Sequence, residues 1–146
     1  MPPMDTTIRM AMTRIAVHGN PALDVSDIEA EREGASYTIQ TVREVRETTG
    51  VDEIWFIMGA DSLNQFFTWK DPEKLIEECR FAVAPRPGVV PEEADPRVHE
   101  RSVLLDMPLV GISATDIRRR VRLGRSIRYQ VPAGVESYIR EKSLYR

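Results

Sequence analysis

The stretch Glu53-Ile54-Trp55-Phe56-Ile57-Met58 restricts the fold more than any other part of the chain. It is an almost unbroken apolar run that stops at Gly59-Ala60-Asp61-Ser62. A run this short, rich in aromatic and β-branched residues, fits a strand covered on both faces, as in a parallel sheet. Parallel strands need crossover connections, and the neighbouring segments can supply them. Upstream, residues 38–48 put Ile39, Val42 and Val45 on one helical face, with Gly50 closing the segment. Downstream, residues 63–67 form a short helix, and Thr68-Trp69-Lys70 interrupts it. Asp71-Pro72-Glu73 then starts another helix, with Asp71 as cap and Pro72 in the first turn, running to about Cys79.

The remaining segments continue this alternation. Residues 5–17 read as a helix capped by Asp5 or Thr6 and ended by Gly19-Asn20-Pro21. Residues 23–28 alternate apolar and polar, the pattern of a strand. Residues 81–84 form a short strand stopped by Pro85-Arg86-Pro87-Gly88, and residues 89–101 read as a loop. Residues 102–110 give a further strand and residues 113–123 a helix with Gly124 after it. Pro132-Ala133-Gly134-Val135 starts the last helix, with Val135, Tyr138 and Ile139 facing inward. Strands alternating with helices predict an α/β fold, with a mostly parallel sheet and helices on both faces. Ligands of such sheets bind at the carboxyl ends of the strands. Gly59 to Ser62 and Gly111 to Thr115 both follow predicted strands, so they are expected to share one crevice.

The length of 146 residues suits one domain with one core. With 42% hydrophobic and 29% charged residues, the composition is that of a globular protein rather than a disordered one. A net charge of −3 favours neither nucleic acid nor an acidic membrane surface. Cys79 is the only cysteine, which excludes an internal disulfide and argues for a buried, inert thiol. There is no apolar run of membrane-spanning length and no signal-peptide pattern at the start, so a cytoplasmic protein is expected.

The basic residues are unevenly spread. Between Ser113 and Tyr129 six arginines (118, 119, 120, 122, 125, 128) face one acid, Asp116. A solvated helix face is the plain explanation; a small anionic ligand is the functional one. Gly111-Ile112-Ser113-Ala114-Thr115-Asp116-Ile117-Arg118 favours the second. A strand turning into a helix offers unpaired N–H groups and a partial positive charge. Ser113 and Thr115 add hydroxyls, and Arg118 lies one turn beyond Thr115. Asp61, just past a buried strand, is placed to accept hydrogen bonds from a ribose, or else to cap the next helix. Trp69, in a polar interruption, either stacks on a flat ring or packs in the core. Ser36-Tyr37-Thr38 starts a helix and either holds a carboxylate or acts as an ordinary cap. His18 and His99 have no metal-ligand spacing, and no Walker loop, nucleophile elbow or paired-carboxylate pattern occurs.

Taken in order, these segments resemble bacterial nicotinate-nucleotide adenylyltransferases of the nucleotidyltransferase superfamily. The resemblance rests on Gly34-Ala35-Ser36-Tyr37-Thr38, Phe56 to Ser62, Thr68-Trp69-Lys70, Arg80-Phe81 to Gly88, Ile112 to Arg118, and Val131-Pro132 to Tyr138-Ile139. It implies a Rossmann-like nucleotidyltransferase domain over residues 1–146, with residues 113–146 as its C-terminal helical part. It also implies an enzyme of NAD biosynthesis that joins nicotinate mononucleotide to the AMP part of ATP and releases pyrophosphate, with magnesium accompanying ATP. The resemblance puts Tyr37, Thr38 and Trp69 at the nicotinate, Thr38 near its carboxylate and Trp69 stacked on its ring. Gly59 and Asp61 would lie by the nucleotide sugar, and Ser113, Thr115 and Arg118 would hold the ATP phosphates. ATP and nicotinate mononucleotide are the implied partners, with neither nucleic acid nor membrane. A pantetheine-phosphate adenylyltransferase and a non-catalytic nucleotide-binding module are the alternatives.

The chain departs from the family at one place. The pattern G-x-F-x-P-x-H-x-G-H, which carries the family's phosphate-stabilising histidines after its first strand, has no match; His18-Gly19 only echoes it. The expectation is an N-terminally truncated form without the first strand and the His-bearing loop, with no catalytic residue assigned and impaired turnover. Apolar strand edges would then be left open, to be covered by self-association or a companion segment.

Overall fold

The computed structural model describes residues 5–88 and 95–146. They divide into two compact units, one from Met1–Ala30 with Ile112–Arg146, the other Glu31–Gly111.

The Glu31–Gly111 unit is built on a parallel three-stranded sheet of order β1-β2-β3, with β1 at Trp55–Gly59, β2 at Arg80–Ala84 and β3 at Ser102–Leu104. In the register, Phe56 pairs with Phe81, Met58 with Val83, and Ala82 with Val103. Helices α3 (Thr38–Thr49), α4 (Ala60–Leu63), α5 (Pro72–Glu78) and α6 (Pro96–Glu100) flank it. The core joins Ile39 and Val42 of α3, Met58, Phe66, Leu75 of α5, Phe81, Val83 and Val98 of α6. Phe66, Leu75 and Phe81 are fully excluded from solvent. An ionic tie fastens α3 to α5: Arg43 donates two-pronged to the Glu78 carboxylate at 2.5 and 2.9 Å, and Arg46 donates to it at 3.4 Å.

The sequence pattern of β1 predicts burial on both faces, and the structure covers only one. Phe56 and Met58 face the core, whereas Ile57 is 70% exposed and Val103 50%, on either side of the buried Ala82. Continuous apolarity therefore marks strand type here but not coverage.

The second unit has three longer helices and one short one. Helix α1 (Thr6–Val17) is capped by Asp5, which accepts from the Thr7 N–H at 2.9 Å. Helix α2 (Ile28–Glu31) starts in this unit. Helices α7 (Ala114–Arg122) and α8 (Ala133–Glu141) follow, and Met12, Ile15, Ile117 and Val121 pack around buried Ile127, Val135 and Ile139. Gly134 lets α8 approach α1 closely, because a Cβ there would stand 2.7 Å from Ile15 Cγ2.

Several sequence expectations change. The strand expected at residues 23–28 does not form: residues 23–27 are irregular, Ile28 starts α2, and Asp27 pairs with Arg14. Strand β3 ends at Leu104, not at residue 110. The Leu105 N–H still reaches Val83 O at 2.9 Å, but Pro108 shortly afterwards has no N–H to offer a ladder. The short helix expected at residues 63–67 is replaced by α4, which ends at Leu63, and a separate 3-10 turn, Phe66–Thr68. Asp71 adopts a left-handed backbone (φ 49) and gives α5 no side-chain cap, since its carboxylate pairs with Lys74. Part of the region expected to be a loop is α6, capped by Asp95. Residues 89–94 of that loop lie outside the described residues.

Candidate functional site

In the Glu31–Gly111 unit the sheet brings together two residues far apart in sequence. Gly59 ends β1 and is paired with Ala84, which ends β2. Asp61 and Arg86, each two residues further on, therefore leave adjacent parallel strands side by side, and Arg86 Nε lies 3.4 Å from Asp61 Oδ1. Gly59 is the floor of this corner. A Cβ on it would stand 2.4 Å from Asp61 Oδ1 and 3.2 Å from Arg86 Nε, so only bare backbone fits under the pair. Helix α4 begins at Ala60, which puts Asp61 inside the first turn rather than at the capping position. The carboxylate is about half exposed (49%), paired yet open to a hydroxyl donor. Arg86 has no role that the sequence alone assigns. The signal was present in its position, two residues past the strand neighbouring β1.

Trp69 follows the 3-10 turn and is half-buried. Phe56 meets it edge-on at 5.8 Å between centroids, and Phe66 meets it at 5.5 Å, tilted by 41°. The ring is therefore packed against the core, and the residue is not fully enclosed. Tyr37 occupies the cap position of α3, with Thr38 as the first helical residue, and Tyr37 makes no side-chain cap bond. Arg32 lies along the same helix, donating to Thr41 Oγ1 at 3.2 Å and Glu44 Oε2 at 2.6 Å.

In the other unit Ser113 caps α7, its Oγ accepting from the Asp116 N–H at 3.1 Å. Thr115 Oγ1 accepts from the Arg118 guanidinium at 3.2 Å, and Asp116 is paired with Arg119 at 2.6 Å. The first turn thus presents two hydroxyl protons, the orphan N–H groups of the helix start and a neighbouring guanidinium, with its one acid already neutralised. That arrangement suits an oxyanion with several acceptor oxygens.

Cys79 fits its expected role. It is 3% exposed, donates to Leu75 O at 3.3 Å, and burial pushes the thiol up to about 11. Among the described residues, no three or more His, Cys, Asp or Glu side chains gather as a metal site. His18 follows the last residue of α1, and His99 lies in α6.

Residues 1–120 match the model of the cytidylyltransferase-like family, and the chain belongs to that family. Several proteins similar to the chain are named probable nicotinate-nucleotide adenylyltransferases. A probable enzyme of this name from Moorella thermoacetica is 41% identical, the match covering 99% of this chain and 70% of that protein. One from Thermus thermophilus is 46% identical over 94% of this chain and 72% of that one. In fold, the chain is similar to the Plasmodium falciparum nicotinic acid mononucleotide adenylyltransferase complexed with APC. The TM-score is 0.74 at 18% identity, over 97% of this chain and 76% of that one. It is similar also to a putative nicotinate-nucleotide adenylyltransferase from Vibrio parahaemolyticus, with TM-score 0.72 at 19% identity, over 97% and 72% of the two chains.

Proposed function

We propose that this protein transfers the adenylyl group of ATP to the phosphate of nicotinate mononucleotide, giving deamido-NAD and pyrophosphate in NAD biosynthesis. The observation that carries the reading is the Gly59–Asp61–Arg86 corner at the carboxyl ends of two adjacent parallel strands, where an α/β sheet takes a nucleotide sugar. Asp61 accepts from the sugar hydroxyls, with Gly59 leaving room beneath it. Trp69 stacks on the nicotinate ring, and the start of α3 at Tyr37 and Thr38 receives its carboxylate. Ser113, Thr115 and Arg118 hold the ATP phosphates. No covalent intermediate is required: the mononucleotide phosphate attacks the α-phosphorus, and the protein contributes positioning and charge stabilisation. Mg2+ accompanying ATP would supply neutralisation of phosphate charge beside Ser113, Thr115 and Arg118. The cytoplasm is the proposed compartment, and self-association the proposed cover for Ile57 and Val103. A net charge of −3 supports small-molecule partners over nucleic acid, and no described helix is long and apolar enough to cross a membrane.

The test reads binding and turnover separately. Nicotinate mononucleotide is expected to quench tryptophan fluorescence saturably, to lose that quench in Trp69→Phe, and to keep it in Trp55→Phe. Deamido-NAD formation with ATP and Mg2+ is followed by chromatography. Quenching by phosphopantetheine but not by nicotinate mononucleotide would overturn the substrate assignment. Tight binding of both substrates with no product under any condition would leave a binding module in place of an enzyme.

A further inference from the structure

At the far end of α7 from Ser113 lies a second basic feature that the adenylyl-transfer reading does not use. Helix α7 has nine residues, so its two ends are about 13 Å apart at 1.5 Å rise per residue. There the chain turns sharply. Gly124 takes a left-handed backbone (φ 64), and the Arg125 N–H closes back onto Arg120 O at 2.8 Å. The end of α8 turns in the same way, with Ser143 at φ 52 and the Leu144 N–H on Ile139 O at 3.0 Å. Between these turns is a cavity of about 500 Å³, lined among others by Arg122, Arg125, Arg140, Arg146, Ser126 and Glu136. Its floor is apolar, formed by Ile127 and Ile139, each 4% exposed.

Helix C-termini attract basic residues for reasons unrelated to ligands. Arg120 is explained in that way, since its Nε donates to Ser126 O at 2.9 Å. Three of the lining arginines are not. Arg125, Arg140 and Arg146 make no ion pair among the described residues, and the one bond of Arg140 is a long one, 3.5 Å to Ser137 Oγ. Four guanidiniums outnumber the Glu136 carboxylate and the α-carboxylate of Arg146, which leaves an excess of positive charge in a concave space, in a chain whose overall charge is −3. Guanidinium forks match phosphate oxygens two at a time, and the volume falls in the range of small-molecule sites. We propose that this cavity is a second binding site, for a small, multiply charged phosphate compound, separate from the Ser113–Arg118 corner and joined to it by the length of α7. A compact pocket with an apolar floor fits a small phosphate compound better than a nucleic-acid backbone, which would call for an extended basic strip.

The test is a titration of the 146-residue chain with sodium tripolyphosphate, followed by backbone amide NMR. Saturable shifts are expected at Arg125, Ser126 and Ile127, as a binding event distinct from any at Asp116 and Ile117. The double variant Arg125→Ala/Arg140→Ala should weaken the first event about tenfold or more and leave the second in place. Both side chains are solvent-exposed, so a melting temperature close to that of the parent is expected to verify the fold. Shifts confined to Asp116 and Ile117, or an unchanged affinity in the double variant, would overturn the proposal. So would tighter binding of a single-stranded oligonucleotide with shifts spreading beyond the cavity, which would mark a polymer surface.

Discussion

The Gly59–Asp61 corner and the Ser113–Arg118 helix start both follow an apolar stretch, and both are proposed to hold a nucleotide, yet they are held in place by different forces. The first is made at long range. Asp61 meets Arg86 only because β1 and β2 pair in one particular register, and Trp69 keeps its attitude only because Phe56 and Phe66 support it. The second is made within a single turn: Ser113 caps Asp116, and Thr115 meets Arg118, with no help from another element. Damage to the core should therefore disable the first and spare the second.

Phe66→Ala is the most severe way to break that contrast. Phe66 is fully buried and touches Phe67, Trp69 and Phe81 at 5.2–5.5 Å between centroids. Truncation removes its transfer free energy and leaves a cavity, at a cost of about 3–5 kcal/mol in urea unfolding. Wherever the variant remains folded, the quench by nicotinate mononucleotide should be lost while tripolyphosphate still shifts the amides of Asp116 and Ile117. Loss of both together would show that the helix start also depends on the core of the other unit.

The converse test acts on the local corner. Arg118→Ala removes a charged donor and should weaken ATP binding by about tenfold to a hundredfold, with the nicotinate mononucleotide quench intact. Ser113→Ala removes the cap, which should cost about 1 kcal/mol of stability, along with some ATP affinity. If either substitution also abolished the quench, the two sets would not be separable.

The same division explains what could be read from sequence. Local codes were legible. Ser113 before the helix and Gly124 after it mark α7 almost residue by residue, and Asp5 marks the start of α1. The strand type of β1 followed from its apolar run, and with it the parallel α/β class. Features that need a partner were not legible. The alternation at residues 23–27 lacked an edge to pair with, and strand β3 stopped where Pro108 approaches. The exposure of Ile57 depends on what lies above it, which no periodicity encodes. Arg86 was overlooked for the same reason, because only the register of two strands makes it the neighbour of Asp61. Trp69, suspended between core residue and ligand platform in the sequence, packs its ring on Phe56 and Phe66 and is half-buried as a residue.

The smallest effect belongs to the ionic tie between α3 and α5, which stiffens the unit holding the long-range corner without touching that corner. The hydrogen bond from Arg43, with the added attraction of Arg43 and Arg46, holds the Glu78 carboxyl below the usual carboxylate range. A carboxyl with a depressed folded-state value stabilises the fold above its unfolded value, about 4.3 for glutamate, and that contribution disappears as pH falls through the folded value. Glu78→Gln removes the charge. The parent should therefore melt a few degrees above the variant at neutral pH, and the two curves should converge in acid, once the pH has fallen through the depressed folded-state value and the parent's own carboxyl is protonated. Because the pair is partly open to solvent, raising the salt concentration should narrow the neutral-pH gap. A gap that persisted unchanged into acid would mean that Glu78 acts through packing, with Arg46 anchored mainly by its bond to the Glu78 backbone carbonyl. The nicotinate mononucleotide quench should be the same in both proteins at neutral pH, since Asp61 pairs with Arg86 and Trp69 packs on Phe56 and Phe66, with neither Arg43 nor Glu78 among those contacts.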